Sequence, residues 1–229
     1  MIFDSLFSGC GGMDLGLERA GWSVRRQCEN NPAAQEVLRA RWPGAVLEHD
    51  VTTFQGSPVS AIVGGFPCQN LSRANVKTRT GLTGAKSGLW SEFARIITES
   101  RPVWVVVENS GASWRDWVPA VRRDLHTRGY SSVCIRLRAD SFGAPFQGER
   151  AWIIAQAYND REPAGAIDAK TSLLPSLAIP SWQDWGAASP TALGVADGVA
   201  RRMDRLRMAG NAVVPAMAQC IGTAILKLL

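Results

Sequence analysis

Ile2-Phe3-Asp4-Ser5-Leu6-Phe7-Ser8-Gly9-Cys10-Gly11-Gly12 is the stretch that decides the fold. An apolar run from Ile2 to Phe7 passes directly into three glycines, and Met13 to Ala20 then carries a helical pattern closed by Gly21. The order is strand, glycine turn, helix. Glycines at a strand end let backbone approach a ligand closely, and open parallel sheets bind ligands beyond the carboxyl ends of their strands.

The same alternation continues outward. Trp22 to Glu29 reads as a second strand, Asn31 as a cap and Pro32 as the opening of a helix through Trp42, stopped by Pro43-Gly44. Ala61 to Val63 is a short strand, Leu89 to Thr98 a helix, and Val103 to Val107 a β-branched strand buried on both faces. Trp117 to Arg128 is helical, and Ile135 to Leu137 and Trp152 to Ala155 supply further strands. An α/β fold follows, a mostly parallel sheet with helices on both faces. The pattern fails over 158–200, where Pro163, Pro175, Pro180 and Pro190 sit among small residues and Trp182 and Trp185. It resumes with Arg201, Arg202, Arg205 and Arg207, a turn at Gly210-Asn211 and an apolar helix from Pro215 to Leu228. The expected organisation is a catalytic and cofactor-binding unit over 1–157, a small irregular segment over 158–200, and a return over 201–229 that completes the first unit.

At 229 residues, 46% hydrophobic and 20% charged, the chain suits one main globular core. The net charge of +5 fits an anionic partner. The five cysteines form no C-x-x-C pair and follow no secretory leader, so free thiols in a cytoplasmic setting are expected, and the two histidines lie at no ligand spacing from a cysteine, so no metal site is expected. No apolar run is long enough to cross a bilayer.

Three strand ends carry the chemistry. The glycine turn is one, with Glu29 at the second strand's end placed to accept hydrogen bonds from a ribose. Gly64-Gly65-Phe66-Pro67-Cys68-Gln69 is another: Cys68 follows a proline on a glycine-rich turn, with no histidine nearby, which suits a reaction that activates the electrophile instead of the thiol. The third is Glu108-Asn109 after Val107, where a carboxylate leaving an apolar strand is partly desolvated and suited to act as an acid. Between Asn70 and Lys86, Arg73, Lys77, Arg79 and Lys86 alternate with Ser, Thr and Gly, a cationic loop suited to phosphates.

Together these pieces resemble the DNA cytosine-5 methyltransferase family over nearly the whole chain. Asp4 to Gly12 is similar to its S-adenosylmethionine loop, Gly65-Phe66-Pro67-Cys68-Gln69 to its Pro-Cys signature, Glu108-Asn109 to its Glu-Asn motif, Gln147 to Arg150 to its arginine motif, and Gly210 to Pro215 to its closing motif. The resemblance implies a Rossmann-like S-adenosylmethionine-dependent methyltransferase fold. It places Phe7, Ser8, Gly9, Gly11, Gly12, Glu29, Asn30, Asp50, Val51, Pro67, Asn211 and Ala212 around the cofactor, Asp50 toward the adenine. It makes Cys68 the nucleophile at carbon 6 of a flipped-out cytosine, Glu108 its stabiliser at ring nitrogen 3 and the exocyclic amine, and Arg150 the holder of the carbonyl oxygen at carbon 2.

Double-stranded DNA is the implied partner, bound by a monomer with Arg73, Lys77, Arg79 and Lys86 on the nucleic acid. Departures are visible. Ser110-Gly111 follows Glu-Asn where the family usually has Val, and Gly148 replaces the first of two arginines. Only 158–200 remains for target recognition, so a short or relaxed target sequence is expected. Two other readings stay open: a cytosine methyltransferase acting on RNA, and a catalytically silent homologue that binds DNA.

Overall fold

The structure is a computed structural model that describes residues 1–67, 88–144, 146–158 and 212–229. Seven strands form one sheet in the order β3-β2-β1-β4-β5-β7-β6. They are β1 (Ile2–Leu6), β2 (Ser23–Cys28), β3 (Val46–Glu48), β4 (Ala61–Gly64), β5 (Trp104–Ser110), β6 (Tyr130–Leu137) and β7 (Arg150–Ala157). The first five pair in parallel, and β7 runs antiparallel to both β5 and β6. The mostly parallel α/β architecture expected from the alternation is the one observed.

Helices α1 (Gly12–Arg19) and α5 (Pro215–Leu226) cover one face; α3 (Gly88–Ser100) and α4 (Trp114–Thr127) cover the other. Two cores result. Phe3, Trp104 and Trp152 from the sheet pack with Leu17, Met217 and Ile221 on the first face, while Leu6, Val105 and Ile153 pack with Phe93, Ile97 and Val121 on the second. Strand residues alternate between the two because successive side chains point to opposite faces. Helix α2 (Pro32–Arg41) opens as its sequence predicts: the Asn31 side chain accepts from the Ala33 and Ala34 amides, and Pro32 occupies the first turn.

Several boundaries differ from those expected: β6 begins at Tyr130, five residues before Ile135, and β7 spans Arg150–Ala157 where Trp152 to Ala155 is expected. Val46–Glu48 is a strand that the sequence reading passes over, because three residues carry no periodicity. Helix α4 begins at Trp114, three residues before the expected start. Strand β5 runs on to Ser110, because Glu108, Asn109 and Ser110 pair with Trp152, Ala151 and Arg150 of β7. Glu108 therefore lies within a strand, not after one. Residues 159–211 fall outside the described residues, and with them nearly all of the segment assigned to recognition.

Candidate active site

Strand order reverses between β1 and β4, and the carboxyl ends of β1, β4 and β5 open there into a cavity of about 730 Å³. Among the described residues, Phe7, Ser8, Gly9, Gly12, Glu29, Asn30, Asp50, Val51, Pro67, Glu108, Arg150 and Ala212 all line it. Gly11 does not; a Cβ there would lie 2.3 Å from the Trp42 ring, so it faces the end of α2. Cys68, Arg73, Lys77, Arg79, Lys86 and Asn211 lie outside the described residues.

On one side the cavity is built for hydroxyl and amine groups. Gly9 N–H donates to Glu29 Oε2 and Asn31 N–H to Glu29 Oε1, both at 2.8 Å. The carboxylate is thereby fixed, and each oxygen keeps capacity to accept another hydrogen bond. Phe7, held at φ +56°, stacks on Phe93 with centroids 6.3 Å apart and supplies an aromatic wall. Asp50 accepts the Thr52 amide at 2.9 Å, which holds its carboxyl below the usual range. The Asp50 loop is clasped from α3: Arg95 donates to the Val51 carbonyl at 3.0 Å, and Glu99 accepts the Gly56 amide at 2.7 Å.

The other side holds a carboxyl and a guanidinium. Glu108 is 7% exposed, and burial pushes its pKa up to about 7 against the opposing influence of Arg150, whose Nε lies 3.0 Å from Oε1. Gly65 makes room for it, since a Cβ there would stand 2.6 Å from Glu108 Oε2. Asn109 Nδ2 donates to the Phe66 carbonyl at 2.8 Å, tying the turn that precedes Cys68 to β5. Phe66 is seated on Trp90 and Trp117. The role of Asn109 was not assigned from sequence; its place beside Glu108 in the motif was the available signal.

The glycines at 111 and 148 fit their local surroundings, while nothing in the structure explains Ser110. Gly111 sits so close to Glu149 that a Cβ would fall 2.9 Å from its carbonyl carbon. Gly148 has φ +42°, a conformation that side chains rarely adopt, and a Cβ there would stand 2.8 Å from the Phe146 ring.

Residues 1–176 match the family described as C-5 cytosine-specific DNA methylase. The chain belongs to this family. Among curated members, the Type II methyltransferase M2.BsuMI of Bacillus subtilis is 33% identical over 168 residues, 68% of this chain and 42% of its own. M.CviJI of Paramecium bursaria Chlorella virus IL3A is 32% identical over 167 residues, 71% of this chain and 44% of its own. This cytosine-5 methylase family member therefore spans less than half the length of those relatives. In structure, the Entamoeba histolytica methyltransferase EhMeth superposes with a TM-score of 0.71 at 12% identity, covering 100% of this chain and 99% of that one, which shows a common fold. A Dnmt2 methyltransferase of S. pombe gives a TM-score of 0.62 at 18% identity over 87% of this chain and 65% of its own.

Proposed function

We propose that this chain transfers a methyl group from S-adenosylmethionine to carbon 5 of a cytosine flipped out of duplex DNA, with Cys68 as nucleophile. The observation that carries this reading is the Glu108–Arg150 pair, with Glu108 near pH 7 in its titration, in one cavity with the glycine turn.

The described residues fit the cofactor: Glu29 for ribose hydroxyls, Phe7 and Val51 for the adenine faces, Asp50 for its amine, and Ser8 and Gly9 where backbone meets the ligand. When bound, S-adenosylmethionine supplies an electrophilic methyl on a sulfonium. Carbon 5 of cytosine is a poor nucleophile. Attack of the Cys68 thiolate on carbon 6 forms a carbon–sulfur bond and moves the ring electrons toward carbon 5 as an enamine. Glu108, protonated near neutral pH, donates to ring nitrogen 3 and takes up the negative charge that develops there. Arg150 both steadies Glu108 and holds the carbonyl oxygen at carbon 2. Once carbon 5 carries the methyl group, loss of its proton to a base expels the thiolate, returns the nitrogen 3 proton to Glu108 and restores the ring. Because a stacked base hides all of these atoms, it leaves the helix first.

Duplex DNA carrying 5-fluorocytosine tests the proposal, since fluorine blocks the final elimination. With S-adenosylmethionine present, a denaturation-resistant protein–DNA adduct is expected, and none with Cys68→Ser. Absence of the adduct from the unmodified protein, or its persistence in the variant, overturns the assignment, and transfer confined to RNA reassigns the substrate.

A further inference from the structure

Beneath the glycine turn lie four buried polar side chains that the chemistry above leaves unused. Asp14, in the first turn of α1, is 0% exposed. Its Oδ1 accepts from Ser5 Oγ and its Oδ2 from Gln27 Nε2, both at 2.6 Å. Ser5 Oγ in turn accepts from Ser8 Oγ at 2.9 Å, a hydroxyl that also reaches the Ser5 main-chain carbonyl at 3.1 Å, and Ser8 lines the cavity. A serine has one hydroxyl proton, and Ser5 gives its own to Asp14, so toward Ser8 it only accepts. The direction of the chain is set from the carboxylate upward.

Neutral donors are a poor setting for a buried carboxylate. Burial pushes Asp14 up to about 6, and Glu18, one turn further along α1, adds repulsion. Among the described residues, the Cys10 thiol of the turn is itself pushed up by burial and by Asp14. The helix N-terminus and its two hydrogen bonds favour the anion. An apolar residue would fill the space more cheaply, so the carboxylate calls for another use. Ser8 supplies one: its N–H donates to the Cys28 carbonyl at 3.1 Å, its carbonyl accepts from Gly11 N–H at 2.9 Å, and its hydroxyl is the third hold.

We propose that Asp14 is a positioning residue for the cofactor turn, acting through Ser5 on the Ser8 hydroxyl to fix the backbone of Phe7 to Gly9 at the cavity wall. This rests on the reading of that cavity as the S-adenosylmethionine site. Calorimetric titration with S-adenosylhomocysteine, on proteins shown to be folded by thermal unfolding, tests it. Asp14→Ala and Ser5→Ala bind about tenfold more weakly, the effect of losing the buried Ser5–Asp14 hydrogen bond and leaving the main-chain carbonyl of residue 5 as the fixed acceptor for the Ser8 hydroxyl, and amides of Phe7 to Gly9 exchange faster. Asp14→Asn binds within about twofold of the unmodified protein, because it still accepts from Ser5 and a turned Gln27 amide accepts its NH₂. If Asp14→Ala does not fold, Ser5→Ala decides. A folded Ser5→Ala that binds at full strength overturns the inference, as does Asp14→Asn binding as weakly as Asp14→Ala. Failure of the unmodified protein to bind overturns the cofactor reading, and this inference with it.

Discussion

Glu108 ionises with difficulty because β5 holds it within the sheet at the cavity wall, largely out of water. Its folded pKa, about 7, stands above the ordinary value of 4.5. The folded protein thus holds a proton that the unfolded chain releases. That contribution to stability is complete below pH 4.5 and is lost as pH rises through about 7. Glu108→Gln removes this slope: between pH 5 and pH 8 the variant loses about 2 kcal/mol less unfolding free energy than the parent, read from urea midpoints. Asp14, raised to about 6, steepens the lower part of the same window in both proteins. Methyl transfer by Glu108→Gln is expected to fall by about 10²–10⁴-fold, the range for losing a general acid, in a single-turnover assay. The identity of Glu108 was legible in its motif. Its partial desolvation was legible too, but its place inside the strand was not, because the residues that extend the strand pair with partners forty or more positions away.

Elements meet where small residues allow it, and α1 against α5 is one such case. A Cβ on Gly16 would lie 2.2 Å from the Pro215 carbonyl oxygen and 2.6 Å from Ala218 Cβ. Gly16→Ala is expected to destabilise by about 1–3 kcal/mol through overpacking. Gly44→Ala, where no atom stands within 4 Å, serves as its neutral control. Asn109→Ala releases the Phe66 carbonyl and loosens the turn before Cys68. It lowers the rate of transfer about tenfold while S-adenosylhomocysteine binding stays unchanged, a split that separates a positioning role at the base from one at the cofactor. Caps and glycine turns announced α1 and α2 because their signals are local. Strand β3 and the first turn of α4 were hidden, since three-residue pairing and a 3₁₀ entry at Gly111–Ser113 leave no periodic mark.

At the scale of the molecule, α5 joins from far along the chain to cover the face that α1 alone leaves open. Trp22 Nε1 donates to the Gly222 carbonyl at 3.2 Å across 200 positions of sequence. Deleting residues 212–229 strips that cover from Phe3, Leu17, Trp22 and Met13, and the truncated protein is expected to bind a hydrophobic dye and lose near-ultraviolet tryptophan ellipticity. The order of assembly was readable from the apolar helix after Pro215, but not which face it fills, which depends on contacts at long separation.

That long return sets a timetable for synthesis. A ribosome adding roughly 5–20 residues per second delivers Gly222 on the order of ten seconds or more after Trp22. Throughout that interval β1 and α1 lack the helix that shields them. Until then Phe3, Leu17 and Trp22 stand without the cover of Met217 and Ile221, and apolar surface left in water during synthesis is the surface most prone to aggregate.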